Sequence, residues 1–212
     1  MSSAVSKNGE PVRARTRVPA AQRREELIAA AVHEFARGGL DGTAVERIAR
    51  RVGVAQPYVF SLFHSKRELF LAALERSFER VAETFRDAAA AFEEGRAGDC
   101  DSALTAMGRA YRGLLQSDRD YLMLQHQCYA ACGADEVVRA EVRNRFASLV
   151  ELARELSRAD DDRLDDFFRH GMALQVAAAL GVEDLSSGSS WVARELRAPA
   201  RAAASPRVRA AR

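Results

Sequence analysis

The side chains here that could do covalent or metal chemistry are four histidines, three cysteines and thirty acidic residues, and their spacing assembles no reaction. Cys128 and Cys132 stand at i, i+4 on one helix face, while His126 falls on a different side. With Cys100 they make an odd count without zinc-like pairing. Buried structural thiols in a reducing compartment are therefore expected over a metal or redox sensor. His33, His64 and His170 have no acid or nucleophile at a suggestive spacing. There is no glycine-rich phosphate loop, paired-cysteine zinc motif or His-Glu-x-x-His run. No catalytic residue, metal or cofactor is expected, and the chain does not read as an enzyme. What remains is the chemistry of recognition. It is concentrated in GVAQPYVFSLFHSKRELF, residues 53–70, where Gln56, Pro57 and Tyr58 open a short helix.

Several elements must position that stretch. From Ala20, Leu27, Ile28, Ala31 and Phe35 fall at helical spacing, and Gly38-Gly39 is expected to stop that helix. Thr43-Ala-Val-Glu46 has the form of a capping box, and Val45, Ile48, Ala49 and Val52 are the apolar stripe of a short helix ended by Gly53. With Ala55 as the next N-cap, Gln56 and Pro57 take the first two helical positions. Amides there have no intrahelical partner, so proline costs little. Ser65-Lys-Arg-Glu68 is a second capping box, opening a long helix with Phe70, Leu74, Phe78, Val81 and Phe85 on one face. Short helix, glycine turn, short helix is the helix-turn-helix plan, whose second helix enters the major groove N-terminus first and turns its first residues toward base edges. Val45, Ile48, Val52, Val54, Val59 and Phe63 are expected to pin these helices together. Tyr58 is expected to face outward, and Phe60 could serve either surface or core.

Residues 20–70 resemble the DNA-binding domain of the TetR (tetracycline repressor) family of bacterial regulators. The resemblance is carried by LIAAAVHEFARGGLDGTAVERIARRVGVAQPYVFSLFHSKRELF, and most specifically by the Ile-Ala-x-x-x-Gly-Val turn and the Phe-x-Ser-Lys-x-x-Leu opening of the fourth helix. It implies that Gln56 reads a base edge, bonding adenine in bidentate fashion, and that Pro57 meets a thymine methyl. It further implies that Tyr58 reaches a base or the backbone, and that Lys66 and Thr43 grip phosphate, with Arg47 and Ser61 on the flanking backbone. Two positions depart from the family pattern. Phe60 stands where a phosphate-bonding tyrosine is usual, and Ala55 replaces a Ser or Thr cap, which weakens the short helix by about 1 kcal/mol.

Further amphipathic stretches are expected at 100–116, 118–132, 136–157, 161–180 and 189–197, with Asp118, Asp135 and Asp160 as N-caps. No stretch alternates as a strand would, so the fold class expected is all-α. The chain divides into a basic arm at 1–18, a helix-turn-helix domain at 19–65, a helical domain for ligand binding and dimerisation at 66–197, and a basic tail at 198–212. The run EEGRAGD (93–99) breaks the long helix. By resemblance to the family, a ligand pocket is expected between the fourth helix and those following, lined by Phe78, Phe85, Met107, Tyr111, Tyr121, Leu124, Gln127, Cys128 and Phe146. Such an apolar lining suits a small hydrophobic effector. A homodimer is expected through the last two long helices, with Phe146, Leu149, Ala153, Leu174, Ala177 and Ala178 at the interface.

Composition is that of a globular chain, 48% hydrophobic and 29% charged. No apolar run approaches the roughly 18–20 residues of a membrane span, and the N-terminus lacks a signal-like apolar core, so a cytoplasmic protein is expected. The net charge of +2 is unevenly spread. Residues 1–24 carry six basic side chains against one acidic, residues 197–212 five against none, and residues 99–196 eleven against seventeen. A basic front with an acidic middle suits a polyanion at one end only. Arg13, Arg15 and Arg17 could be a minor-groove arm or a solvated tail. The function expected is a sequence-specific DNA-binding regulator, a repressor released from a palindromic operator by its ligand. The alternatives are a helical protein-interaction adaptor and a ligand-independent DNA-binding protein. Salt dependence of duplex binding separates the adaptor from the rest.

Overall fold

The computed structural model describes residues 19–181. These form eight helices and no strand: α1 (Ala20–Gly42), α2 (Val45–Val52), α3 (Gln56–Leu62), α4 (Lys66–Glu93), α5 (Ala103–Ser117), α6 (Arg119–Ala131), α7 (Glu136–Ser157) and α8 (Asp161–Ala179). The helix expected near 189–197, the arm at 1–18 and the tail at 198–212 lie outside the described residues.

Local chemistry explains most helix ends. Gly53 closes α2 in the left-handed region at φ 73°. Its amide bonds the Arg50 carbonyl at 3.1 Å while the Val54 amide reaches Ala49 at 3.0 Å, the double closure a glycine permits. Ser65 Oγ accepts from the Glu68 amide at 3.0 Å to start α4. The Glu68 carboxylate reaches past Ser65 to accept from the His64 amide at 3.0 Å and meets the His64 ring, so the capping box is closed one residue further out than expected. Asp135 accepts from the amides of Val137 and Val138, and Asp160 from that of Arg163. Asp118 makes no side-chain cap to α6; its amide bonds Leu114 and finishes α5 instead.

The Thr43 expectation is corrected. α2 starts from Ala44, and no side chain caps it. Thr43 is buried and donates its hydroxyl to the Glu34 carbonyl at 3.2 Å. A Cβ on Gly38 would stand 2.5 Å from that hydroxyl, so the close approach requires glycine. Gly39, at φ 62° and ψ −172°, breaks α1, with one further helical turn continuing to Gly42.

Helix α4 runs through the centre, packed against α1, α5, α6 and α7. Its 28 residues span about 42 Å at 1.5 Å per residue, enough to belong to both ends of the protein. Phe35 of α1 meets Phe70 of α4 edge to face at 5.0 Å. Val45, Ile48, Val59 and Phe63 are buried beside them and lock α2 and α3 to this support, while Val52 and Val54 are partly buried. Further along, Phe85 of α4 meets Phe167, Phe167 meets Phe168, and Phe168 meets Phe146 of α7, at 5.4, 5.2 and 5.4 Å. This aromatic chain ties α4, α7 and α8 together. Among the described residues no helix is long and apolar enough to cross a membrane.

Candidate nucleic-acid interface and internal cavity

α3 is seven residues long and presents two faces. Val59, with Phe63 just beyond the helix end, is fully buried and seats it on the head. Gln56, Pro57 and Ser61 are exposed, and Tyr58 and Phe60 each keep 38% of their surface in solvent. Gln56 and Pro57 are the first two helical residues after Ala55, which caps with no side-chain bond. The turn bearing the base-reading candidates is therefore solvent-facing and held by packing beneath it. Ser61 Oγ is engaged with the Tyr58 carbonyl at 2.7 Å. Lys66, at the start of α4, donates from Nζ to the Asp41 carbonyl at 3.0 Å, tying that helix to the end of α1.

Thr43 does not share this surface, because its side chain points into the head. Arg47 is half exposed but leans inward onto Glu34 at 2.7 Å, and Arg51 donates from Nε to the same carboxylate at 3.1 Å. Glu34 is only 6% exposed, so its charge is tolerated because two guanidiniums meet it. The sequence reading missed Glu34. Its signal was an acid beside Ala31 and Phe35 on the apolar stripe of α1.

Behind the head, α6 packs along α1. Asp120 accepts from Arg37 at 2.9 Å and contacts His33 Nδ1 at 2.7 Å. Gln127 Oε1 lies 2.8 Å from where a Cβ on Gly39 would stand.

A cavity of about 660 Å³ lies between α4, α5, α6, α7 and α8, within the range of small-molecule sites. Of the nine side chains expected to line it, Phe85, Tyr111 and Phe146 do so. The other six do not. Phe78, Met107, Leu124 and Cys128 are core residues at 4% exposure or less. Tyr121 packs against that core, its carbonyl accepting from Ser77 at 2.7 Å, and Gln127 faces Gly39. Burial pushes the Cys128 thiol well above its ordinary value, which favours the protonated form.

The lining that sequence reasoning missed comes largely from α8 and from polar positions of α6. Phe167 and Phe168 are walls, and Gln125, Tyr129 and Gln175 contribute polar atoms. Gln175 Nε2 donates to Tyr111 Oη at 2.7 Å and to Gln125 Oε1 at 2.8 Å. Burial pushes the Tyr129 phenol up to about 12, and pushes the Tyr111 phenol higher still.

The residues expected at a dimer interface are placed as follows. Leu149, Ala153, Leu174, Ala177 and Ala178 are buried within the single chain, and Phe146 belongs to the cavity and its aromatic chain. The apolar stripe left outward by α8 and its C-cap is Met172, which also borders the cavity, Val176 and Leu180, at 44%, 47% and 69% exposure. These sit at i, i+4 and i+8, about half a turn around the helix from Leu174 and Ala178.

Residues 27–73 match the family model of bacterial regulatory proteins, tetR family. Over 72 residues the chain is 36% identical to the HTH-type transcriptional activator FasR of Mycolicibacterium smegmatis, covering 34% of this chain and 33% of FasR. The chain thus spans about a third of the length of that relative. A solved TetR-like transcriptional regulator from Rhodococcus sp. RHA1 superposes with a TM-score of 0.55 at 23% identity, over 85% of this chain and 92% of that one. A TetR family transcription regulator from Marinobacter aquaeolei VT8 gives 0.56 at 17%, over 83% and 91%.

Proposed function

The chain carries a TetR-family DNA-binding domain on a TetR-like all-helical fold, and from that premise we propose that it is a transcription regulator that binds operator DNA through α3. The observation that carries this reading is the solvent-facing Gln56-Pro57-Tyr58 turn on a head locked by Val59 and Phe63. A rigid support beneath a short reading helix is what base-edge recognition requires. On DNA, Lys66 at the neighbouring helix start exchanges its bond to the Asp41 carbonyl for a phosphate, a stronger acceptor.

Half-site recognition by one such head offers few contacts, so the protein acts as a homodimer on a palindromic site. The outward stripe Met172, Val176 and Leu180 of α8 supports a second copy packing there. The cavity is the effector site. α6 lines it with Gln125 and Tyr129 and grips α1 through Asp120, so a ligand that moves α6 moves the head. Such a ligand acts only through its difference in affinity between the DNA-bound and free arrangements. The protein is read as a repressor released in this way. FasR, by contrast, is named an activator, and a promoter fusion with and without the gene tells the two signs apart.

The deciding experiment is a footprint of the purified protein upstream of its own gene at two salt concentrations. A protected site with dyad symmetry that weakens steeply with salt supports the regulator. Association with proteins and no duplex affinity would instead favour an adaptor.

A further inference from the structure

Two glutamines that line the cavity each leave one hydrogen-bonding atom unused. Gln125 and Gln175 are 2% and 4% exposed, and each spends one amide atom on their mutual bond at 2.8 Å. The remaining atoms, Gln125 Nε2 and Gln175 Oε1, are buried without a partner. One is a donor and one an acceptor. Reversing both amides would exchange the two roles between the residues and still leave one of each. Buried amide groups in this condition are costly, and a pair of opposite kind in one cavity marks a place where a ligand completes the network.

The two phenols beside these glutamines are neutral. Tyr111 accepts from Gln175 and keeps its own hydroxyl proton; Tyr129 also bonds the Gln175 side chain, and burial of both rings favours the protonated phenol. The aromatic walls are apolar. At the rim, Arg169 is already paired with Asp166 at 3.1 Å, and both are exposed. Arg112, Arg163 and His170 also line the cavity, which makes an anion the competing occupant.

Resting on the reading of this cavity as the effector site, we infer that it takes an uncharged, mainly apolar molecule whose buried end carries one group able both to accept and to donate a hydrogen bond, a carboxamide or a hydroxyl, and that it discriminates against carboxylates. The carbonyl or hydroxyl oxygen accepts from Gln125 Nε2, and the N–H or O–H donates to Gln175 Oε1. A carboxylate has nothing to donate, and it faces Gln175 Oε1 with a second negative oxygen. A plain hydrocarbon leaves both protein atoms unpaired.

The test is calorimetric titration of the full chain with three probes of one outline: biphenyl-4-carboxamide, biphenyl-4-carboxylate and 4-methylbiphenyl. The carboxamide is expected to bind at least about tenfold more tightly than either of the others. Gln175→Leu and Gln125→Leu should each erase that preference while leaving 4-methylbiphenyl unaffected. Equal or tighter binding of the carboxylate, equal binding of the hydrocarbon, or no binding by any probe overturns the inference. So does a preference that survives in both variants. The comparison on the unaltered protein stands even if a variant misfolds. Operator binding measured beside it keeps the two readings apart. A carboxamide preference without any effect on DNA leaves this ligand class standing and removes the effector role, whereas operator release by the carboxylate does the reverse.

Discussion

Asp120 and Arg37, 83 residues apart, meet at 2.9 Å across the seam between α6 and α1. The contact joins an element that lines the cavity to the helix that carries Glu34 and, through it, α2. Arg37 is half exposed, so the pair contributes little to stability. Asp120→Asn should therefore lower stability by no more than about 1 kcal/mol, read by urea denaturation. Its larger effect is expected on coupling: operator binding should persist while its response to ligand is blunted. An unchanged ligand response would remove this seam from the mechanism.

Gly39 is placed where two constraints coincide. Its backbone, at φ 62° and ψ −172°, is one that side-chain-bearing residues avoid. An added Cβ would also stand 2.8 Å from Gln127 Oε1. Gly39→Ala is expected to destabilise the chain by about 2 kcal/mol or more. Adding Gln127→Ala should recover only part of that loss, because the second change relieves the clash and leaves the backbone strain. Full recovery in the double variant would mean that side-chain crowding alone was at work.

On DNA the two ends of the interface should behave differently. Gln56→Ala should relax discrimination at one base pair by about 1–3 kcal/mol. Lys66→Ala should weaken all sequences alike and reduce the salt slope by roughly 1. Competition assays against single-base operator variants at several salt concentrations measure both. Parental behaviour in each would place the reading surface elsewhere.

Val176 stands at the middle of the outward stripe of α8. Val176→Asp should shift the protein from dimer to monomer in sedimentation equilibrium without changing its helical content. Leu174→Asp, at a residue only 4% exposed, should unfold the domain instead. A Val176→Asp protein that stays dimeric assigns the interface to another face.

Asp135 caps α7, and its carboxyl is held below the usual carboxylate range, chiefly by the Val138 amide, with the Arg67 guanidinium helping. A depressed value means its contribution is complete above the ordinary carboxylate pKa of 3.8 and is lost as the pH falls through the lowered one. Asp135→Asn keeps a capping side chain but has no charge to titrate. The stability difference between parent and variant should therefore be present at pH 7 and shrink below pH 3.8, as followed by denaturation midpoints. A difference that holds constant into acid would contradict the assignment.

The sequence by itself determined the helices, their order and the outward turn at Gln56–Tyr58. Those features are written in signals a few residues long: the stripe Val45, Ile48, Ala49; the glycine at 53; the proline at a helical position that needs no amide; the serine before α4. Each works through bonds between near neighbours, so spacing alone reveals it. Local pattern misled at Thr43, because its hydroxyl found the Glu34 carbonyl nine residues back before it could cap α2.

Only the tertiary structure decided which side of each long helix faces inward, and with that the cavity and the free face of α8. The Gln175 bonds to Gln125 and Tyr111 span 50 and 64 residues. Asp120 reaches His33 and Arg37 over 87 and 83. An apolar stripe shows that a helix buries one side, but several neighbours can cover it equally well. Packing of α8 against α5 and α6 turned Leu174 and Ala178 inward and left Val176 exposed. It also brought two glutamines, unremarked in the chain, into a buried position where their amides must find partners.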